Sequence, residues 1–218
     1  MEKPQVDKPV LVFATLWIAG FIFFNIAQVV CGLAWDAPAY EWRLQIVSDL
    51  GETHAPLNII MNIAFIFQGV VIAIGVWVID IIWHRSVLTV TTRTMLTLAG
   101  IGLIVVGFAP ADTDPEIHLI FGAAPILLFG AFGLVFACIT MNGKRFGRFF
   151  WIVTALLGIA ALISGFVFFV SAYTSLGRGF IERIWIYAPL VWTAYVGYRI
   201  VHTNKQSATS ISSPLSSK

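Results

Sequence analysis

VLVFATLWIAGFIFFNIAQVVCGL, residues 10–33, is the stretch on which the fold turns. It holds no charged side chain, and it is longer than the about 20 residues a helix needs to cross the hydrocarbon of a bilayer. A cleaved signal peptide has an apolar core of only about 7–15 residues. The weak cleavage-like Ala37-Pro38-Ala39 contains proline and lies beyond Trp35, so a retained membrane helix is expected.

Five further apolar runs follow, over residues 57–79, 94–110, 117–138, 149–172 and 180–198. The third is short and the sixth contains Pro189, an interruption that neighbouring helices can satisfy. Hydrophobic residues make up 59% of the chain and charged residues 11%, against about 25% charged in a soluble domain. That balance excludes a soluble fold. The expectation is an all-α, polytopic membrane protein, a six-transmembrane-helix bundle over residues 1–202. The serine-rich 203–218 lacks a periodic apolar face and is expected to be a disordered cytoplasmic tail.

Lysine and arginine in short loops set orientation. With the N-terminus in the cytoplasm, Lys3, Lys8, Arg85, Arg93, Lys144, Arg145, Arg148, Arg199, Lys205 and Lys218 fall inside, and only Arg43, Arg178 and Arg183 fall outside. Both termini are therefore expected in the cytoplasm. Most acids sort the other way: only Glu2, Asp7 and Asp80 fall inside. Because acids contribute little to topology, their gathering outside marks that face as the place for chemistry. Cys31 and Cys138 fall near opposite ends of their helices, too far apart for a disulfide. Trp35, Tyr40 and Trp42 on one side, and Trp83 on the other, suit the interfacial aromatic belts.

Three segments bring polar groups to the acidic face: VSDLGETHAPLN with Ser48, Asp49, Glu52 and His54; GFAPADTDPEIH with Asp112, Asp114, Glu116 and His118; and GFIERIW with Glu182 and Arg183. Asp114-Pro115 reads as an N-cap followed by a first-turn proline or, alternatively, Thr113 with Glu116 as a capping box. Thr53 or His54 is placed to cap the second helix. Asp112 precedes the cap and His118 lies one turn inside the helix, so neither has a capping role. Glu182 and Arg183 are adjacent and face different ways. Asn25 with Gln28, and Asn58 with Asn62, share helix faces that should turn inward.

IVSDLGE, followed by Pro56 and Asn58, then GFAPADTDPEIH and ERIW, resembles the prokaryotic membrane family called domain of unknown function 998, from the first helix to the sixth. The resemblance implies a six-helix protein in a prokaryotic plasma membrane. It marks Ser48, Asp49, Gly51, Asp112, His118, Glu182 and Arg183 as motif positions without an assigned role. SDLG is also similar to the SDTG stretch of six-helix proteins of the Frag/DRAM/Sfk type, which are linked to membrane lipid organisation.

Two functions lead, ahead of a small transporter. In the first, a lipid-handling or lipid-modifying protein uses Asp49, Asp112 and His118 for acid–base work. Ser48, His54, Glu182 and Arg183 bind the ligand, with Arg183 on an anionic headgroup. A divalent metal on Asp112 and His118 is an option, since a histidine among carboxylates suits one. In the second, the protein is a non-enzymatic accessory or sensor, and the same residues form a structural hydrogen-bond network. Membrane lipids are the expected partners. No sequence feature points to nucleic acid or names a protein partner.

Overall fold

Residues 6–36, 38–141, 143–170 and 176–212 are described by the computed structural model of the chain. Among the described residues six long helices make up the fold: α1 Lys8–Ala34, α2 Asn58–Val78, α3 Val87–Phe108, α4 Pro115–Thr140, α5 Gly143–Val170 and α6 Arg178–Ser212. There is no strand among the described residues. The first five helices are long and apolar enough to cross a bilayer, α5 over Phe146–Val170. By length and composition this is a multi-pass membrane protein.

Where boundaries differ from expectation, polar chemistry explains the difference. α3 starts seven residues before the apolar run because Ser86 caps it, its Oγ accepting from Thr89 N at 3.1 Å. Thr92 and Thr97 then donate their hydroxyls to the carbonyls of Leu88 and Arg93, so these polar groups are satisfied within the helix. α4 opens with one turn at Pro115–Ile117 and winds as a π-helix over His118–Ala123 before continuing from Ala124. Pro125 accounts for this wider turn: it lacks an N–H and its ring would press on the carbonyl four residues back. Pro189 lies within α6 without ending it. α6 runs to Ser212, through the first residues of the serine-rich stretch; residues 213–218 of that stretch lie outside the described residues.

Each helix packs against its neighbour in sequence, and α6 returns to α1, so the bundle closes on itself. α2 and α3 approach backbone to backbone at Gly69 and Gly100. A Cβ at Gly69 would fall 2.4 Å from the Gly100 carbonyl, so only hydrogen fits there. Along the centre Trp17, Trp192 and Trp83 pack as tilted pairs with centroids 6.0 and 6.1 Å apart. Each indole N–H is satisfied, by Val71 O, Thr154 Oγ1 and Val76 O respectively. Trp83, expected in an interfacial belt, is therefore part of the core. Cys31 and Cys138 are free thiols.

One end of the bundle carries the 79–86 link and the turn after α4, tied by His84 N to Thr140 O at 2.8 Å. The other end carries the 35–57 loop, the 109–114 link and the first turns of α6. This acidic end holds every candidate residue.

Candidate functional site at the acidic end

The 35–57 loop is fastened to α6. Gly179 N donates to Leu44 O at 3.1 Å and Phe180 N to Arg43 O at 3.0 Å, so loop carbonyls satisfy donors that a helix start leaves open. The approach is tight: a Cβ on Gly179 would meet Gln45 O at 2.0 Å, and Gly177, at φ +86°, faces Arg43 O. Arg183 reinforces the junction. Its Nη1 donates to Trp42 O, Gln45 O and Gly179 O at 2.7, 2.9 and 2.9 Å, its Nη2 to the Tyr40 hydroxyl at 2.8 Å, and its Nε to Gln28 Oε1 at 3.2 Å. Its guanidinium also lies over the Tyr40 and Trp42 rings. All three nitrogens thus bond the protein itself. Tyr40, expected at the membrane interface, is buried, its hydroxyl donating to Ile46 O at 2.6 Å. Burial pushes this phenol above its ordinary range, against the pull of Arg183.

The carboxylates divide by task. Asp49 folds back on its own 3-10 turn, Val47–Gly51, accepting from Ile46 N at 3.1 Å. Burial raises its pKa, opposed by that N–H and by the positive field of Arg178 and Arg183. Asp112 accepts from both the amide and the hydroxyl of Thr53, joining the 109–114 link to the loop, and these bonds lower its pKa. His54 stands between Asp112 and Glu52, Nδ1 3.6 Å from the first and Nε2 3.5 Å from the second, with its ring against Trp35. Thr53 and His54 therefore do not cap α2, whose N-cap position is Leu57 at φ 59°. Asp114 occupies the N-cap position of α4 but makes no side-chain cap bond, and Thr113 donates to Pro110 O instead of joining a capping box. Asn58 and Asn62 reach the carbonyls of Glu52 and Gly51 at 2.9 Å each, while Asn25 receives the Tyr187 hydroxyl.

Deeper, a cavity of about 120 Å³ opens among α2, α3, α4, α5 and α6. Its polar walls are Ser48, His118, Glu182, Arg178 and Trp185; Leu119, Phe168 and Phe169 supply apolar wall. His118, Glu182 and Trp185 are all buried. His118 rides on the π turn, and its Nδ1 lies 2.8 Å from Ala109 O. A carbonyl can only accept, so Nδ1 carries a hydrogen, and in the neutral imidazole Nε2 then keeps the lone pair. Glu182 accepts from Val47 N. Trp185 Nε1 is a buried donor with no partner among the described residues. Arg178 lies over the Phe168 ring at 4.7 Å.

Of the expected residues, the three segments do meet, but they do not form one constellation. Ser48, His118 and Glu182 share the cavity, whereas Asp49, His54, Asp112 and Arg183 make the ties around it. Asp112 and His118 have different partners, and among the described residues no three His, Cys, Asp or Glu side chains are grouped to hold a metal ion. Trp185 and Arg178 were missed as lining residues. The available signal was spacing, since Glu182 and Trp185, three apart on α6, share a face.

The family model described as a protein of unknown function (DUF998) matches residues 11–199. The chain belongs to the DUF998 family. The match runs from α1 into α6 and so takes in every lining residue of the cavity. No curated protein and no solved structure matches the chain. Within this DUF998 protein the chemistry rests on the residues themselves.

Proposed function

We propose that this protein is a lipid-handling protein that holds the polar headgroup of a membrane amphiphile in the His118–Glu182 cavity. The observation that carries the reading is an unmatched donor on the cavity wall. Trp185 offers a buried N–H without an acceptor, and His118, with its hydrogen on Nδ1, offers a lone pair on Nε2. A hydroxyl can satisfy both, donating to one and accepting from the other. A hydroxyl-bearing headgroup is therefore the matching chemistry, rather than an anion on Arg183. His118 is then the proton acceptor for that hydroxyl, with Glu182 beside it as the second proton-handling group. A π turn under the histidine is in keeping with this, because such turns gather at functional sites. A metal ion has no part in the reading.

The same reading sets the bundle in the plasma membrane of a prokaryote with six crossings. α6 would cross as the last of them although its uncharged stretch, 184–198, covers only about 22 Å, because Arg183 and Glu182 are matched inside the protein. The basic end, with both termini, would face the cytoplasm, as the lysine and arginine distribution favours. The cavity would then sit in the outer leaflet.

The test is nitrogen NMR of histidine-labelled protein in detergent, titrated with a phosphatidylglycerol dispersion and with a phosphatidylcholine one that lacks headgroup hydroxyls. The expected result is an Nδ1–H tautomer for His118 and an Nε2 resonance that moves with phosphatidylglycerol alone. A resonance indifferent to both lipids contradicts the reading. A second reading, an accessory or sensor protein in which these residues only fix the helix ends, is favoured by the wholly internal contacts of Arg183. Under it, His118→Ala lowers thermal stability and neither lipid has any effect on His118.

A further inference from the structure

A second hollow lies next to the first. It is an apolar groove of about 290 Å³ between α4 and α5, walled by Leu128, Phe132, Leu162, Gly165, Phe166 and Phe169. Phe169 walls the headgroup cavity as well, so the two spaces share a lining residue. The floor exists because residue 165 is glycine: Leu127 takes the room a side chain there would need, its Cδ1 1.9 Å from where a Cβ would stand. The rims face outward, with Leu128, Phe132 and Phe166 exposed by 48%, 43% and 68%. In a bilayer such a rim meets acyl chains, not water.

We propose that one acyl chain of the bound amphiphile lies in this α4–α5 groove while its headgroup occupies the cavity that Phe169 also lines. This rests on the reading that the cavity takes a headgroup. Three observations select an acyl chain as the occupant. Among the described residues the groove is lined by no polar side chain that could receive anything else. It shares a wall with the polar cavity, so a molecule with one polar end and one apolar end fits both. From Leu119, at the cavity, to Phe132, at the far side of the groove, α4 advances thirteen residues, about 20 Å at ~1.5 Å each. That covers the depth of one leaflet, about half of the ~30 Å hydrocarbon core. The site thus takes amphiphiles with a full-length chain and discriminates against short-chain or soluble analogues of the same headgroup.

The experiment uses the full chain in nanodiscs of phosphatidylethanolamine doped with phosphatidylglycerol that carries a photoreactive diazirine in one chain. After illumination, adducts are mapped by peptide mass spectrometry. The expected result is adducts on Leu128, Phe132 and Phe166 several-fold above those on Ile22 and Ile63, which also face outward from α1 and α2. Leu128→Trp, which fills the groove from its rim, should bring adducts at Phe132 and Phe166 down to that background; Phe132→Trp, at an exposed position, is the second variant should the first not fold. Glu182→Gln should lower the groove adducts too. Even labelling of all outward positions overturns the groove proposal while leaving the response of His118 to headgroup, and so the cavity reading, intact. Groove adducts that persist unchanged in Glu182→Gln overturn the link between chain and cavity. A His118 that ignores every lipid removes the reading on which the groove depends.

Discussion

Asp112 and Asp49 show how two carboxylates of similar sequence context come to oppose each other in stability. Asp112 is ionised against the Thr53 amide and hydroxyl, which lower its pKa. A lowered carboxylate contributes stability above its ordinary value of about 3.9 and loses it as pH falls through the folded value. Asp112→Asn should therefore cost about 0.5–1 kcal/mol at pH 7, an exposed charge-assisted bond being modest, and should remove that acid-side loss. Asp49 is the reverse. Burial raises its pKa, so its ionisation opposes folding above the folded value, and acidification relieves the penalty. Asp49→Asn keeps an oxygen for Ile46 N and removes the charge. Its melting temperature should equal or exceed that of the wild type at pH 7 and converge with it near pH 4. Thermal unfolding in detergent over that range checks both, and a marked loss in Asp49→Asn at pH 7 contradicts the assignment. The identity of these residues was legible in the sequence, but their partners were not. A carboxylate that ties two loops reads the same as one that awaits a ligand, because Thr53 and Asp112 are distant in sequence. His118 was legible as uncapped, whereas its tautomer required the Ala109 carbonyl.

At the scale of elements, the junction between the 35–57 loop and α6 depends on absent side chains. Gly179→Ala drives a methyl into the Gln45 carbonyl, and backbone cannot swing aside as a side-chain tip can. A loss of about 1–3 kcal/mol is expected, as for overpacking in a core. Gly130→Ala is the control. Its Cβ would make ordinary contact, 3.6 Å from Pro189 and 3.7 Å from Ala99, so relief of helix-interior glycine should leave stability unchanged or raise it by up to about 1 kcal/mol. Comparable melting temperatures for the two variants would contradict a junction locked by close approach. The apolar runs revealed α1, α2, α4 and α5 because hydrocarbon demands length and apolarity together. They missed the first turns of α3, where threonine hydroxyls return to the helix backbone. They also missed the π turn of α4, because Pro125 was read only as part of an apolar run.

For the whole molecule, closure of α6 onto α1 brings the three acidic segments together, and no property of any single segment announces that. The proposed six crossings carry their own test. Thr113→Cys should react with an impermeant maleimide on intact cells, and Ser86→Cys only after permeabilisation; the opposite pattern would invert the bundle and put the cavity in the inner leaflet. The central claim is that a membrane amphiphile occupies the His118–Glu182 cavity. Its most direct test is native mass spectrometry of the protein released from nanodiscs, beside His118→Ala and Glu182→Gln that melt cooperatively. The account predicts one amphiphile with a hydroxylated headgroup retained on the wild type and largely lost from both variants. A wild type that flies free of lipid, or variants that keep the same lipid in the same amount, would contradict it.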